Sequence, residues 1–481
     1  MSPDEFRRAG HALVDWIADY RTRLAAGSYP VQAPVRPGDV LRQLPAQAPE
    51  AGEPFEAMLR DLDALIVPGI THWQHPKFFG YFPTGGSLTS VLADMVSTGF
   101  GVIGLSWQSS PALTELEQVM TDWMRDLLGL PPSFSGVIQD TASAATFVAL
   151  VCARERATNY GAVRDGLQDG AAPLVIYASA QAHSSVEKAA LLAGFGRQHV
   201  RAIATDPQFR LHVPALEDAI ARDRTAGLRP CAVVATTGTT ATTAIDPLAP
   251  IGAIARREGL WMHVDAAMGG AAMLLPELRQ YWDGIHDADS IVVNPHKWLT
   301  IAFDCSLYFV RDPQHLVRVM STNPSYLQTP MDEQVRNYRD WGIPLGRRFR
   351  ALKIWFALRH QGAASLRDRL RRDLVNARWL AAEVEAAPGW RCIAPVTLQT
   401  LCVRHEPPGL TGTALDDHTR RWTQAVNDSG RAYLTPASVD GRWMTRVSIG
   451  SALTEAADVA DLWRQMRTAA DESARGPGAS G

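Results

Sequence analysis

Five short apolar runs constrain this chain more than anything else in it. They lie at 174–178 (Leu-Val-Ile-Tyr-Ala), 199–204, 231–236 (Cys-Ala-Val-Val-Ala-Thr), 260–264 and 290–293. Helical patterns separate several of them, at about 184–194, 214–226 and 248–258. Strands that read as unbroken apolar runs are covered on both faces, and the helices between them supply the crossovers. The expected fold class is therefore α/β, a mostly parallel sheet sandwiched by helices.

The flanks predict the rest of the architecture. Residues 2–26 read as a helix opened by a capping box of Ser2 and Glu5 around Pro3, with Leu13, Ile17, Tyr20 and Leu24 on one face. Six prolines between 28 and 54 suggest an extended arm. A second amphipathic helix runs from Phe55 to Ile66 and stops at Pro68-Gly69. Two helices on a long arm cannot make a core alone, so 1–85 is expected to pack on something else, such as a partner subunit. Residues 86–361 form the expected large α/β domain, led out by a helix near 346–361. Residues 362–481 form a smaller α+β domain, with helices near 365–386 and 414–429, short strands at 399–404 and 444–449, and a disordered tail over 472–481. At 481 residues the chain has room for about three such units.

Composition removes several function classes. Net charge is −3, so no basic excess points to nucleic acid. No apolar stretch reaches membrane-spanning length, and the N-terminus, with Asp4 and Glu5, lacks a signal segment. Five Cys (152, 231, 305, 392, 402) form no CxxC pair, which suits reduced thiols and a cytoplasmic location. Only four basic residues are Lys (77, 188, 297, 353) among 47. In so Arg-biased a chain, a Lys could be kept for what guanidinium cannot do: lose a proton and attack a carbonyl.

Ligands of open α/β sheets bind beyond the carboxyl ends of the strands. Those ends deliver Ala182-His183-Ser184-Ser185, Thr237-Gly238-Thr239-Thr240, Asp265-Ala266-Ala267 and Asn294-Pro295-His296-Lys297-Trp298. Upstream, Asp140-Thr141-Ala142-Ser143 opens the apolar helix 144–154, a start suited to holding phosphate on free N–H groups. Together these are the groups that pyridoxal 5′-phosphate (PLP) needs: an amine for its aldehyde (Lys297), a carboxylate facing its ring nitrogen (Asp265), a flat partner for the ring (His183), and uncharged phosphate donors (Ala142 N–H, Ser143, Thr240). Singly each has a structural alternative: a surface lysine, a capping Asp265, a structural His183, a capping Ser143. The weight lies in complementary groups arriving from separate strands.

The Asn294–Trp298 string, His263-Val264-Asp265-Ala266-Ala267 and Ala182–Ser185 resemble the group II PLP-dependent decarboxylases, specifically the aromatic-L-amino-acid decarboxylases. So do Thr71-His72-Trp73, Tyr81-Phe82-Pro83-Thr84 and Ile343-Pro344-Leu345-Gly346-Arg347-Arg348-Phe349-Arg350. The resemblance covers about 3–468 and is nearest to the bacterial DOPA-type decarboxylases. It implies a fold-type I PLP enzyme, an obligate homodimer whose N-terminal helices wrap the partner. It makes Lys297 the Schiff-base lysine, Asp265 the pyridine-nitrogen partner and His183 the stacking residue, with Ala142, Ser143, Thr240, Asn294 and His296 around the cofactor. Trp73, Tyr81, Phe82, Pro83 and Thr84 would line an aromatic side-chain pocket, with Ile103 and Leu105 from the other subunit. Tyr326, on a polar segment read as a mobile lid over about 320–340, would protonate the substrate carbon once CO2 has left.

Two positions depart from the family pattern: Met268, where Tyr is frequent, and Leu105, where an aromatic is usual. Both bear on substrate choice. Aromatic acetaldehyde synthases of this family tend to carry Phe at the lid position or Asn for the stacking His, so Tyr326 and His183 predict an amine product. The expected substrate is an aromatic L-amino acid, L-DOPA first, with tryptophan, 5-hydroxytryptophan, tyrosine and phenylalanine open. The competing readings are an acetaldehyde synthase or another PLP enzyme, such as an aminotransferase; a metal site from His72, His75, His263 and Asp265, disfavoured by their spacing; and a non-catalytic relative.

Overall fold

A computed structural model describes residues 1–168, 170–322 and 324–475, the side chain of Tyr326 excepted. The chain divides into two compact units. The larger comprises Thr84–Val375 and Ala394–Thr400; the smaller comprises Met1–Pro83, Asn376–Ile393 and the chain from Leu401 onward.

The larger unit is built on seven strands: β1 (Ser135–Gln139), β2 (Leu174–Ser179), β3 (Val200–Ile203), β4 (Arg229–Thr236), β5 (Trp261–Asp265), β6 (Ser290–Val293) and β7 (Ser306–Val310). Their order is β1-β7-β6-β5-β4-β2-β3. β2 to β6 pair in parallel, while β7 runs antiparallel to both β6 and β1. All strands but β7 therefore end on the same edge. The five apolar runs are β2 to β6, within a residue or two at each end.

Both faces of this sheet are buried, as the unbroken runs require. Ile176 and Ala178 face one cluster together with Val148, Ala149 and Cys152 of helix Ala142–Ala157. Tyr177, of opposite parity, donates its hydroxyl to Asp223 of helix Val213–Thr225 at 2.9 Å. Helix Leu248–Glu258 packs with β4 and β5.

Several elements go beyond the sequence reading. β1 and β7 are strands, and helices Leu88–Phe100, Pro111–Leu128 and Pro313–Met320 were not foreseen. The helices expected near 346–361 and 365–386 form one element, Ala351–Ala386, broken at Gly362 with φ 78 and ψ 155.

In the smaller unit, the first helix is Pro3–Ala25, and the Ser2–Glu5 capping box is present with both of its hydrogen bonds. Of its residues only Leu24 is buried. The expected arm contains a short helix, Asp39–Gln43, and the next helix, Phe55–Asp61, continues as a wider turn over Leu62–Ile66. Four strands, β8 (Trp390–Cys392), β9 (Thr400–His405), β10 (Thr435–Val439) and β11 (Arg442–Ser448), order as β10-β11-β9-β8, with helices Gly412–Asp428 and Ala456–Arg475. The last helix includes 472–475, which the sequence reading assigned to a disordered tail; 476–481 lie outside the described residues. No helix among the described residues is long and apolar enough to cross a membrane.

Candidate active site

The carboxyl edge of the large sheet gathers the polar groups. β5 ends on Asp265, only 5% exposed, whose Oδ1 accepts from Ala267 N–H at 3.1 Å. The carboxylate thus braces its own turn while standing at the strand end beyond which such sheets bind ligands. β6 runs into a turn in which Lys297 N–H donates to Asn294 O at 3.0 Å and Thr300 N–H to Lys297 O at 3.1 Å. Lys297 is partly buried, between enclosed His296 and Trp298. Trp298 pins that turn: its Nε1 donates to buried Asp373 Oδ2 at 2.8 Å, and its carbonyl accepts from Arg369. Asn294 Oδ1 accepts from the Ser306 hydroxyl, and His296 Nδ1 from Cys305 N–H at 3.0 Å, so the first residue of β7 and the one before it fix both side chains.

His183 follows β2 and caps helix Ser184–Leu192, Nδ1 accepting from Ser185 N–H at 3.1 Å and lying 2.8 Å from Ser185 Oγ. An accepting Nδ1 leaves the proton of the neutral ring on Nε2. Solvent reaches the ring, yet the atoms packed around it desolvate the imidazolium and hold its pKa below the ordinary histidine value; Asp265 opposes that shift and Lys297 adds to it. His183, Asp265 and Lys297 each lie at or just beyond the carboxyl end of a parallel strand of the same sheet, β2, β5 and β6.

Two further loops reach that edge. After β1, Thr141 rather than Ser143 is the helix cap: its hydroxyl accepts from Ala144 N–H at 3.4 Å. The first N–H groups of a helix have no intrahelical partner, so Ala142 and exposed Ser143 are placed to receive an anion. After β4, the turn carrying exposed Thr240 folds tightly on Gly238 (φ 94), where a Cβ would meet Gly269 N at 3.0 Å.

The residues expected to line a side-chain pocket fall into two groups. In the smaller unit Trp73 and Tyr81 stack at 5.3 Å and 10°, both solvent-exposed, and Phe82 and Pro83 are buried beside them in sequence. In the larger unit lie Thr84, Leu105 and the 57%-exposed Ile103. Met268 is buried, its sulfur 3.2 Å from Gln399 Nε2. The Tyr326 side chain lies outside the described residues; its backbone is in a short turn, Ser325–Leu327.

The histidines once weighed as metal ligands have structural partners. His72 Nδ1 meets Tyr20 Oη at 2.8 Å, His75 Nδ1 accepts from Lys77 N–H at 3.0 Å, and His263 Nδ1 meets Ser290 Oγ at 2.9 Å. No group of three potential ligands for an ion occurs among the described residues.

A buried carboxylate, an amine, a neutral imidazole and an uncharged anion cradle on one sheet edge fit PLP. The model of the pyridoxal-dependent decarboxylase conserved domain matches residues 37–406. The chain belongs to the pyridoxal-dependent decarboxylases. Tyrosine decarboxylase 4 of Petroselinum crispum is 40% identical, over 98% of this chain and 94% of that one. The crystal structure of Oryza sativa TDC with PLP and tryptamine superposes with a TM-score of 0.95 at 34% identity, covering 98% and 99% of the two chains. Rhodiola rosea 4-hydroxyphenylacetaldehyde synthase gives 0.91 at 36%, covering 98% and 99%. This decarboxylase therefore has the fold-type I architecture, with PLP as its cofactor.

Sequence reasoning passed over two contributors to the site. Thr141 was visible as a hydroxyl residue before a helix; its capping role went to Ser143 because the strand before it was unread. Asp373, which holds Trp298, lies far along the chain and carries no local signal.

Proposed function

We propose that this protein decarboxylates an aromatic L-amino acid, releasing the aromatic amine and CO2. What supports this is that Lys297, Asp265 and His183 each stand at or just beyond the carboxyl end of a parallel strand of one sheet, in a chain of this family. Bound there, PLP supplies an aldehyde for the substrate amine and a protonated ring that takes up the electron pair left as CO2 departs. Lys297 Nζ anchors the cofactor and yields its place to the substrate amine. Asp265 would keep the ring nitrogen protonated, and His183 would offer the ring a flat partner. Ala142 N–H, Ser143 and Thr240 would hold the phosphate, and Asn294 and His296, both buried, would complete the surroundings of the cofactor. Tyr326 delivers the proton to the substrate Cα.

Trp73, Tyr81, Phe82, Pro83 and Thr84 form the side-chain pocket in this reading, completed by Ile103 and Leu105 of a second protomer. The dimer is supported by the apolar stripe of helix Leu88–Phe100: Leu88, Leu92 and Met95 recur at helical spacing and are 46%, 48% and 44% exposed, and Phe100 is 61% exposed. L-DOPA stands first among the substrates, because a hydroxyl such as Thr84 can bond a catechol, and kinship to bacterial DOPA-type decarboxylases belongs to the same reading. None of the five cysteines forms a disulfide and four are buried, which suits a reducing cytoplasm.

Acetaldehyde production is the second reading, favoured by the likeness to the Rhodiola rosea synthase. Incubation with mixed aromatic amino acids, reading amines, aldehydes and peroxide together, separates the two. Amine without stoichiometric peroxide supports decarboxylation; aldehyde with peroxide replaces it by the second reading; no product from any aromatic amino acid removes both.

A further inference from the structure

Tyr433 is absent from every motif discussed so far, yet it holds the most exposed aromatic of the proposed pocket. Its ring stacks on Phe78 at 5.4 Å and 14°, and its hydroxyl donates to Tyr81 Oη at 3.2 Å. Gly80 makes that approach possible: a Cβ there would stand 2.3 Å from Tyr433 Cδ1. Two residues on, Thr435 Oγ1 accepts from Tyr81 N–H at 2.7 Å. Phe79 N–H donates to Tyr433 O at 2.9 Å, so the backbones of the two segments also lie side by side. Tyr81 itself sits at φ 47, a left-handed conformation that costs a non-glycine residue and persists only where neighbours enforce it. Trp73 on one side and the 433–435 segment on the other are those neighbours.

The direction of the hydroxyl contact matters. Burial and donation to Tyr81 both raise the Tyr433 pKa, so Tyr433 is a neutral donor over the whole physiological range. A phenol has one proton and can both donate and accept. A Tyr81 oxygen that accepts from Tyr433 keeps its own proton for a third group, and accepting one hydrogen bond strengthens the one it gives. Tyr81 is 48% exposed, so that proton has room to reach a ligand.

We infer that Tyr433 is a specificity-determining positioning residue, which through Tyr81 favours substrates whose ring bears a hydroxyl over those whose ring does not. The inference rests on the proposed aromatic amino acid activity and narrows its substrate class to phenols and catechols.

The test compares L-tyrosine with L-phenylalanine on the PLP-loaded enzyme and on Tyr433→Phe, which keeps the stacked ring and loses the donor. The ratio of kcat/KM for tyrosine over phenylalanine should fall about 3- to 10-fold, the effect of one hydrogen bond, through KM, with kcat for phenylalanine unchanged. The calorimetric affinity ratio of tyramine over phenethylamine should fall in parallel. Tyr81→Phe should lower the ratio by at least as much, and the double variant no further than Tyr81→Phe alone, since both changes cut one chain. A variant that slows both substrates equally, or neither, overturns the inference while leaving the aromatic activity in place. A wild-type enzyme that turns over no aromatic amino acid overturns the underlying reading and this inference with it.

Discussion

Asp265 sits almost wholly out of water at the end of β5, and its one assigned task in catalysis is electrostatic. Asp265→Asn keeps the shape and the turn cap but removes the charge. We expect kcat to fall by about 10²- to 10³-fold, the scale on which a preorganised charge of this kind contributes, ~3–4 kcal/mol; steady-state kinetics on cofactor-saturated protein measures it. A loss under tenfold would dismiss Asp265 as the ring-nitrogen partner. Tyr326→Phe should leave cofactor binding intact and divert product from amine to aldehyde, read by amine and peroxide assays together. Unchanged amine yield would take Tyr326 out of the mechanism.

At this scale the sequence was most readable where a residue follows a strand. That rule brought His183, Asp265 and Lys297 forward as candidates, and the structure puts each of them at or just beyond the end of a strand of the large sheet. The scarcity of Lys was a weaker guide. Lys353 is fully buried, its Nζ donating to Asp304 O at 2.7 Å, and Lys77 pairs with Asp461 at 2.6 Å. Two of the four lysines therefore serve ordinary structure, and rarity did not single out Lys297. Tyr433 and Asp373 were illegible because their partners lie hundreds of residues away or across a helix, beyond any local pattern.

Among the elements, β2 to β6 could be read because each is a run of apolar residues enclosed on both faces. β1 and β7 escaped for different reasons. β1 contains Gly136, whose missing side chain makes room for Thr121 and Phe309; a Cβ would come within 2.6 Å of Thr121 Cβ, and so small a residue dilutes the strand signal. β7 follows β6 as an antiparallel neighbour without an intervening helix, outside the alternation that the βαβ pattern looks for. Helix Leu88–Phe100 was missed although its apolar stripe is regular. The break in Ala351–Ala386 gives a test of backbone alone. Gly362 has φ 78 and ψ 155 with nothing within 4 Å of its missing Cβ, so Gly362→Ala meets no clash with its surroundings. It should cost about 1–3 kcal/mol, the strain of an L-residue in that region, seen as a lower urea midpoint with unchanged slope. A midpoint equal to that of the wild type would mean that the two helical segments can merge without penalty.

For the whole molecule, pH is the informative variable. Burial pushes His75, His263, His296 and His418 each down to about 4. A histidine held neutral in the fold gains a proton on unfolding once the pH drops below its ordinary value near 6.5. Its contribution is therefore intact above that value and is lost as the pH falls toward about 4. Asp246 runs the other way: fully buried and pushed up to about 7, it takes a proton in the fold that the unfolded carboxyl does not, and adds stability as the pH falls below 7. Four groups against one give a net loss, so the urea midpoint at pH 5 should lie below that at pH 7.5. A flat profile would mean that these imidazoles are hydrated in solution. Assembly offers the other test. If the stripe of Leu88, Leu92 and Met95 meets a second protomer, Met95→Glu should lower the sedimentation coefficient to that of a monomer; an unchanged value would move the interface elsewhere.

The position of β7 also governs how the protein can be made. Ser135 of β1 is opposite Val310 of β7, and among the described residues β1 has no other strand beside it. On a ribosome adding ~5–20 residues each second, β1 waits roughly ten to thirty seconds for its partner to be synthesised. Throughout that interval the start of helix Ala142–Ala157 follows a strand that has not yet joined the sheet, and a bare strand edge is open to mispairing. A chaperone that shields the segment around residues 135–157 until β7 emerges would guard that edge.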